Sequence, residues 1–386
     1  MALNPFIWDR PLDDPTKIVG MDDFANEVAL TLKAQTNVAI FGPRDTGKST
    51  FLTSLGRELA MEHEDDAPPF EVIRINLKRA LSIPAFISCV DDALTEHPSP
   101  TLRAAAKKEL ELVERQLEIS FKVFKASQRR AKSATEPAEA LHAQLKTLPR
   151  IADRLVICFD EFQRLNRCPG EPLAIIGSAL MDTGAANISM LFTGSIREYL
   201  EMLLNNSREP IFNQATKKKL PLITRAEFRE FLGFHFEATD HDIEDEALDY
   251  LLQLTDAHPK RTQQLAWATW NRRRRGTVGP DDVREAFEEL MEDQQADFAV
   301  TADALASGEE HESTEWKTLQ LLADGNSDRL SSGKVAEAYG LHSRTAATRI
   351  MPRLQRRGLV ELRAGEWRII DPFLTEWLRR NSPFAE

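Results

Sequence analysis

The sequence predicts an α/β fold with helical and helix-hairpin regions appended at its carboxyl side. Three observations carry this expectation. Up to about residue 223, short apolar runs of strand length alternate with segments of helical periodicity. One of those runs passes through a glycine-bounded turn directly into a helix. Past about residue 224 the apolar spacing becomes purely helical, until a two-strand pattern appears near the end. A chain of 386 residues also exceeds one comfortable core. The expected layout is therefore an α/β core over 1–223 with a helical insertion at 98–154, a helical lid over 224–298, a linker over 299–313 and a terminal domain over 314–386.

The first strand is Asn37 to Phe41, and the helix after its turn runs from Ser49 to Met61, with Phe51, Leu52, Leu55 and Leu59 on one face. Phe70 to Asn76 is the second strand. Leu155 to Phe159 is the third, an unbroken apolar run of the kind buried on both faces of a parallel sheet. Ile188 to Phe192 is the fourth and Lys219 to Leu222 the fifth. Within the insertion, Leu110, Val113, Leu117, Phe121 and Phe124 form the stripe of an amphipathic helix, and Lys122, Lys125, Arg129, Arg130 and Lys132 make its end basic. That stripe packs on its own domain or projects toward a partner. The lid helices break near Thr239 and Gly276. The stretch Thr301 to Ser313 is small, polar and acidic, which suits a linker.

The turn reads Gly42-Pro43-Arg44-Asp45-Thr46-Gly47-Lys48-Ser49-Thr50. Two glycines let backbone N–H groups point inward around phosphate oxygens, and the helix start adds its positive end. Lys48 supplies a point charge for the outer phosphates and the Ser49 hydroxyl a ligand for Mg2+. The third strand ends in Asp160 and Glu161. Asp160 is the candidate metal carboxylate, and Glu161 the group that orients and deprotonates water, which makes hydrolysis rather than binding alone the expectation. The fourth strand ends in Thr193-Gly194-Ser195, where the AAA+ and STAND phosphate-loop ATPases that this order of motifs resembles carry a polar residue that feels the γ-phosphate. The resemblance implies Thr193 as a third catalytic group beside Lys48 and Glu161, with Ser195 as its alternative.

In this order of motifs the chain resembles the archaeal-type ATPases of the AAA+/STAND branch, related to the Orc/Cdc6 initiators. Asn4-Pro5-Phe6 with Ile18-Val19-Gly20 is similar to the family's leading segment near the adenine, with Met21 where arginine is usual. The resemblance implies a P-loop NTPase core of five parallel strands, a helical lid and a C-terminal winged helix, with ATP and Mg2+ as cofactors. It implies that residues 42 to 50, Val19, Pro259 and Arg261 contact the nucleotide, the last two through the Asp256-Ala257-His258-Pro259-Lys260-Arg261 lid segment. Pro210-Ile211-Phe212-Asn213-Gln214-Ala215 resembles a segment in which Gln214 replaces an arginine. Weak or partner-dependent hydrolysis follows, with Arg197, Arg208 or a neighbouring subunit as the substitute charge.

In the terminal region, Trp316 to Ala323, Gly333 to Tyr339 and Ser343 to Arg357 read as three helices, and residues 359 to 370 as a hairpin. Asp371 to Arg379 is similar to the family's closing motif. The net charge of −12 argues against generic nucleic-acid binding, yet residues 331 to 386 carry 10 basic against 6 acidic side chains. Arg344, Thr348, Arg349, Arg353 and Arg363 are candidate contacts to double-stranded DNA, with Ser343 beside them. Arg272 to Arg275 reads first as helix-end chemistry. Three scattered cysteines, no basic-apolar leader and no membrane-length apolar run lead to the expectation of a cytoplasmic protein without a membrane segment. Two functions remain open. One is an ATP-driven switch moving a DNA-binding domain, acting as a homo-oligomer or with a partner protein. The other is a signalling scaffold that binds ATP, hydrolyses it slowly and recruits an effector without DNA.

Overall fold

The computed structural model describes residues 3–10, 12, 14–61, 68–127, 135–180, 187–195, 215–272, 276–306 and 310–382. The expectations for Arg197, Arg208, Asn213, Gln214 and residues 273–275 lie outside them, as do the side chains of the basic cluster that closes the insertion. The chain forms two compact units, Asp22–Gly42 with Leu52–Leu220, and Met1–Met21 with Pro43–Phe51 and Pro221–Glu386.

The first unit holds the sheet. Helix α1 (Asp22–Lys33) buries Ala25, Val28, Ala29 and Leu32, and the positive φ of Gln35 (60°) turns the chain into strand β1 (Val38–Phe41). After helix α2 (Lys48–Ala60) come β2 (Glu71–Asn76), α3 (Ile83–Thr95), α4 (Pro100–Ser127), α5 (Thr135–Leu145), β3 (Leu155–Asp160), α6 (Pro172–Leu180), β4 (Ile188–Gly194) and β5 (Thr216–Lys219). The five strands lie in the order β2-β3-β4-β1-β5, all pairs parallel. Every residue of β3 is buried, as its apolar run requires. Phe159 stacks on Phe192 at 5.8 Å, and Phe162 leans on Phe192 at 4.7 Å.

Two elements of this unit differ from expectation. The fifth strand is Thr216–Lys219, not Lys219 to Leu222. It is an edge strand held by backbone pairing to β1, with Thr216 N–H donating to Asn37 O at 2.8 Å, so lysines suit its open side better than leucines. Helix α3 had no counterpart in the sequence reading; Ser82 caps it by accepting from Ala85 N–H, and Pro84 occupies its first turn.

In the second unit, Thr224 and Glu227 form a reciprocal capping box at the start of helix α7 (Arg225–Glu237). Helices α8 (Asp245–Thr255), α9 (Pro259–Arg272) and α10 (Pro280–Ala306) follow. The leading segment is fastened to them: Phe6 is buried against Phe236 at 4.9 Å, and Asn4 donates to Trp267 O at 3.0 Å. The expected linker over 299–313 is instead helical on both sides, since α10 reaches Ala306 and α11 (Glu310–Ala323) begins four residues later. Phe298, Ala302 and Leu305 are buried at helical spacing, a stripe outweighed in the sequence by its polar composition. Then come α12 (Gly333–Ala338), α13 (Ala346–Arg357), an antiparallel hairpin of β6 (Val360–Arg363) and β7 (Glu366–Ile369), and α14 (Pro372–Arg380).

Candidate functional site

The glycine turn follows β1 and opens α2, with Gly42 N–H bonded to Gly194 O at the end of β4 (3.3 Å). Asp45 and Gly47 take positive φ (61° and 95°), which bends the backbone into a cradle of N–H groups. A Cβ at Gly47 would sit 3.4 Å from the Met21 methyl, so the buried Met21, at the position where arginine is usual, packs against the loop. Lys48 is buried and its ammonium donates to Pro43 O, as does the Thr46 hydroxyl at 2.7 Å. Val19 is buried, and Thr50 Oγ1 accepts from Leu12 N–H at 3.4 Å.

Asp160 ends β3 at 5% exposure, and both oxygens of its carboxylate accept hydrogen bonds. Oδ1 accepts from the Thr193 hydroxyl at 2.5 Å and from Glu161 N–H at 3.0 Å, and Oδ2 from Arg74 Nη2 at 2.5 Å. Register explains the cluster. Arg74 pairs with Cys158 and Leu191 pairs with Cys158, so Arg74, Asp160 and Thr193 project from one face at one end of three adjacent strands. Burial, and then the Asp160 charge, push the Cys158 thiol up, with Arg74 opposing, so it carries no thiolate chemistry. Glu161 stands at φ 58°, an uncommon conformation for a glutamate and one that clusters at functional sites. Gln163 Nε2 donates to Glu161 Oε2 at 2.6 Å and to Ser195 Oγ at 2.9 Å. Thr193 is thus bound to Asp160, and the polar group beside Glu161 is the Gln163–Ser195 pair.

By chemistry alone, the Ser49 hydroxyl and the Asp160 carboxylate are hard oxygen donors of the kind magnesium takes.

The lid residues divide. Pro259 opens α9, and Lys260 Nζ lies 3.3 Å from Asp45 Oδ2 of the glycine turn. Arg261 is locked elsewhere. Its Nε donates to Asp371 Oδ1 at 2.9 Å and Nη2 bonds Oδ2, while Nη1 reaches Gln264 and Gln294 at 2.6 and 2.5 Å. Phe373 stacks on the guanidinium at 4.6 Å. Arg261 therefore joins the lid to the C-terminal helix, and the lid side chain nearest the turn is Lys260. His258, beside this network, is pushed down to about 4 by burial.

The candidate DNA residues divide in the same way. Arg344, Thr348 and Arg349 are exposed, and Arg356 continues their face of α13. Arg353 and Arg357 pair with Glu315, which has no exposed surface. Arg363 lies 3.2 Å from Asp256. Sequence reasoning missed Arg74, Gln163 and the Arg261–Asp371 pair. Only Arg74 left a signal, a lone cation between the buried Ile73 and Ile75.

No family model matches the chain, and no curated protein matches it. Solved structures do. The Walker-type ATPase of Pyrococcus abyssi is 16% identical with a TM-score of 0.66, over 96% of this chain and 99% of that one. The ORC2 protein of Aeropyrum pernix in its ADPNP–ADP complexes is 16% identical with a TM-score of 0.58, over 97% of this chain and 98% of that one. Its ADP form gives 15%, 0.53 and 98% of both chains. At such identities the likeness establishes the fold alone, one shared with the Pyrococcus abyssi Walker-type ATPase and the Aeropyrum pernix ORC2 protein. Among the described residues no helix is long and apolar enough to cross a membrane.

Proposed function

We propose that the protein is a magnesium-dependent ATPase switch whose nucleotide state is passed to its C-terminal helices and hairpin. The observation that carries this is the presence in one chain of two motifs, each seen in its own unit: a Lys48 cradle with positive-φ Asp45 and Gly47, and a buried Asp160 followed by Glu161 at a strand end. Residues 42 to 50 bind the phosphates, with Val19 on the base side, and Lys48 and Ser49 act as phosphate and metal ligands. Magnesium, when bound, neutralises charge developing on the transferred phosphoryl group. Ser49 and Asp160 would hold it, and Glu161 would orient and deprotonate the water, with Gln163, itself bonded to Ser195, fixing its carboxylate. That the Aeropyrum pernix protein of this fold was captured with ADPNP and ADP supports the nucleotide assignment.

The coupling runs through the first turn of α9. Lys260 meets the glycine turn, Arg261 meets Asp371 at the cap of α14, and Asp256 just before α9 meets Arg363 of the hairpin. A change of charge at the phosphates is thereby felt by the C-terminal region, which we read as a winged helix. Its free basic face, Arg344, Arg349 and Arg356, is the surface offered to duplex DNA. Oligomerisation would supply any arginine that Gln214 leaves wanting.

The Glu161→Gln variant tests the chemistry: it should retain nucleotide affinity and lose turnover about a hundredfold or more. Unchanged turnover refutes the assigned base. The DNA arm is tested by the salt dependence of duplex binding. Arg344→Ala with Arg349→Ala should lower the slope of log affinity against log salt by about 2. The scaffold reading keeps one specific support, since Arg353, Arg357 and Arg363 are engaged by internal carboxylates. A wild-type protein that hydrolyses ATP yet shows no duplex affinity at any salt would favour it.

A further inference from the structure

Arg74 has no part in the motifs, yet it makes the only side-chain ion pair to Asp160 among the described residues. The Arg74 side chain is 34% exposed and that of Asp160 is 8% exposed, so Arg74 is the more solvent-accessible partner. A carboxylate so placed is costly to leave charged without a counter-ion. From the nucleotide reading above, on which this rests, we infer that Arg74 is a built-in counter-cation that competes with magnesium at Asp160, and that it sets the metal concentration at which the switch loads.

The geometry gives the exchange its logic. Oδ2 is taken by Arg74, and Oδ1 by Thr193 and the Glu161 N–H. Three of the roughly four acceptor directions of Asp160 are taken by these donors and the fourth lies on Oδ2 beside Arg74, so a hydrated metal that approaches there meets the Arg74 charge. Thr193 and the backbone donor lie on the other oxygen and need not move. Arg74 is the partner able to shift, because its side chain is long and is the more exposed of the two. Even displaced, its charge stays near and disfavours a divalent cation, so both effects raise the metal requirement. Arg74 is thus a positioning residue: it acts through Asp160.

The test is a titration of magnesium against a fluorescent ADP analogue bound to the full chain, with manganese binding followed in parallel by electron paramagnetic resonance. Arg74→Met should lower the metal midpoint about tenfold, the order expected for losing one half-exposed ion-pair partner. Arg74→Lys, which keeps the charge, should stay within about threefold of wild type. Metal-free nucleotide affinity should change little in either variant. Arg74→Met with an unaltered midpoint, or Arg74→Lys shifting as far as Arg74→Met, overturns the inference and leaves a structural role only. Failure of the wild type to bind any nucleotide overturns the functional reading itself, and this inference with it.

Discussion

Removal of the Asp371 carboxylate tests the link between lid and C-terminal helix most sharply. Arg261 is 7% exposed, and two of its nitrogens bond Asp371. In Asp371→Ala the guanidinium keeps Gln264, Gln294 and the Phe373 ring but loses its only charged partner among the described residues. Breaking a buried pair costs about 3–5 kcal/mol, and the 30% exposure of the Asp371 side chain places this case near the lower figure. Asp371 also caps α14 by accepting from Phe373 N–H at 2.9 Å, and loss of such a cap adds about 1 kcal/mol. Asp371→Asn keeps a capping oxygen and loses the charge. The expectation is about 3–4 kcal/mol for alanine and about 2–3 kcal/mol for asparagine.

Urea unfolding followed by tryptophan emission suits this test, because Trp8, Trp267, Trp270, Trp316, Trp367 and Trp377 all belong to the unit that contains the pair. At an m value of roughly 2–3 kcal/mol/M, the alanine variant should lose about 1–2 M in midpoint. A loss below about 1 kcal/mol in the alanine variant would falsify the claim that Arg261 is committed to Asp371. The pH dependence has a definite sign. Burial acts to raise the Asp371 carboxyl, but the Arg261 hydrogen bonds and charge outweigh it and hold the group below its usual value. Its contribution is fully present above the unfolded carboxylate range near pH 4 and is lost as pH falls through the lower folded value.

Three further outcomes are expected. His258 is held neutral down to about pH 4, whereas the unfolded chain protonates near 6.5, so stability should decline as pH falls between those values, and His258→Gln should flatten that decline. Glu315→Gln should destabilise the C-terminal region by about 3 kcal/mol in urea melts, since two arginines lose their buried counter-charge, while Arg344→Ala should leave the melt within about 0.5 kcal/mol. Gly47→Ala places a Cβ at φ 95° and 3.4 Å from Met21, so calorimetry should show nucleotide affinity reduced about tenfold or more.

What could be read in the sequence was whatever depends on a few neighbouring residues. The strand-turn-helix around Lys48, the acids ending β3 and the strand-forming apolar runs are local patterns, fixed by burial on a period of two or by glycine at a bend. The motif residues are therefore where the chain itself puts them. The edge strand of lysines was misplaced because its pairing is a backbone matter, indifferent to side-chain polarity. The helix through 299–306 was hidden because three buried residues outweigh a polar composition. Which charges stay free was settled by tertiary structure alone. Arg261, Arg353 and Arg363 read in the sequence like Arg344 and Arg349, yet the former three meet Asp371, Glu315 and Asp256 from distant parts of the chain. Arg74 reaches Asp160 only because parallel register sets residues 74 and 158 side by side. Charge pairing acts at a few ångströms in space and carries no trace in sequence spacing, so composition can count such groups but only the fold assigns their partners.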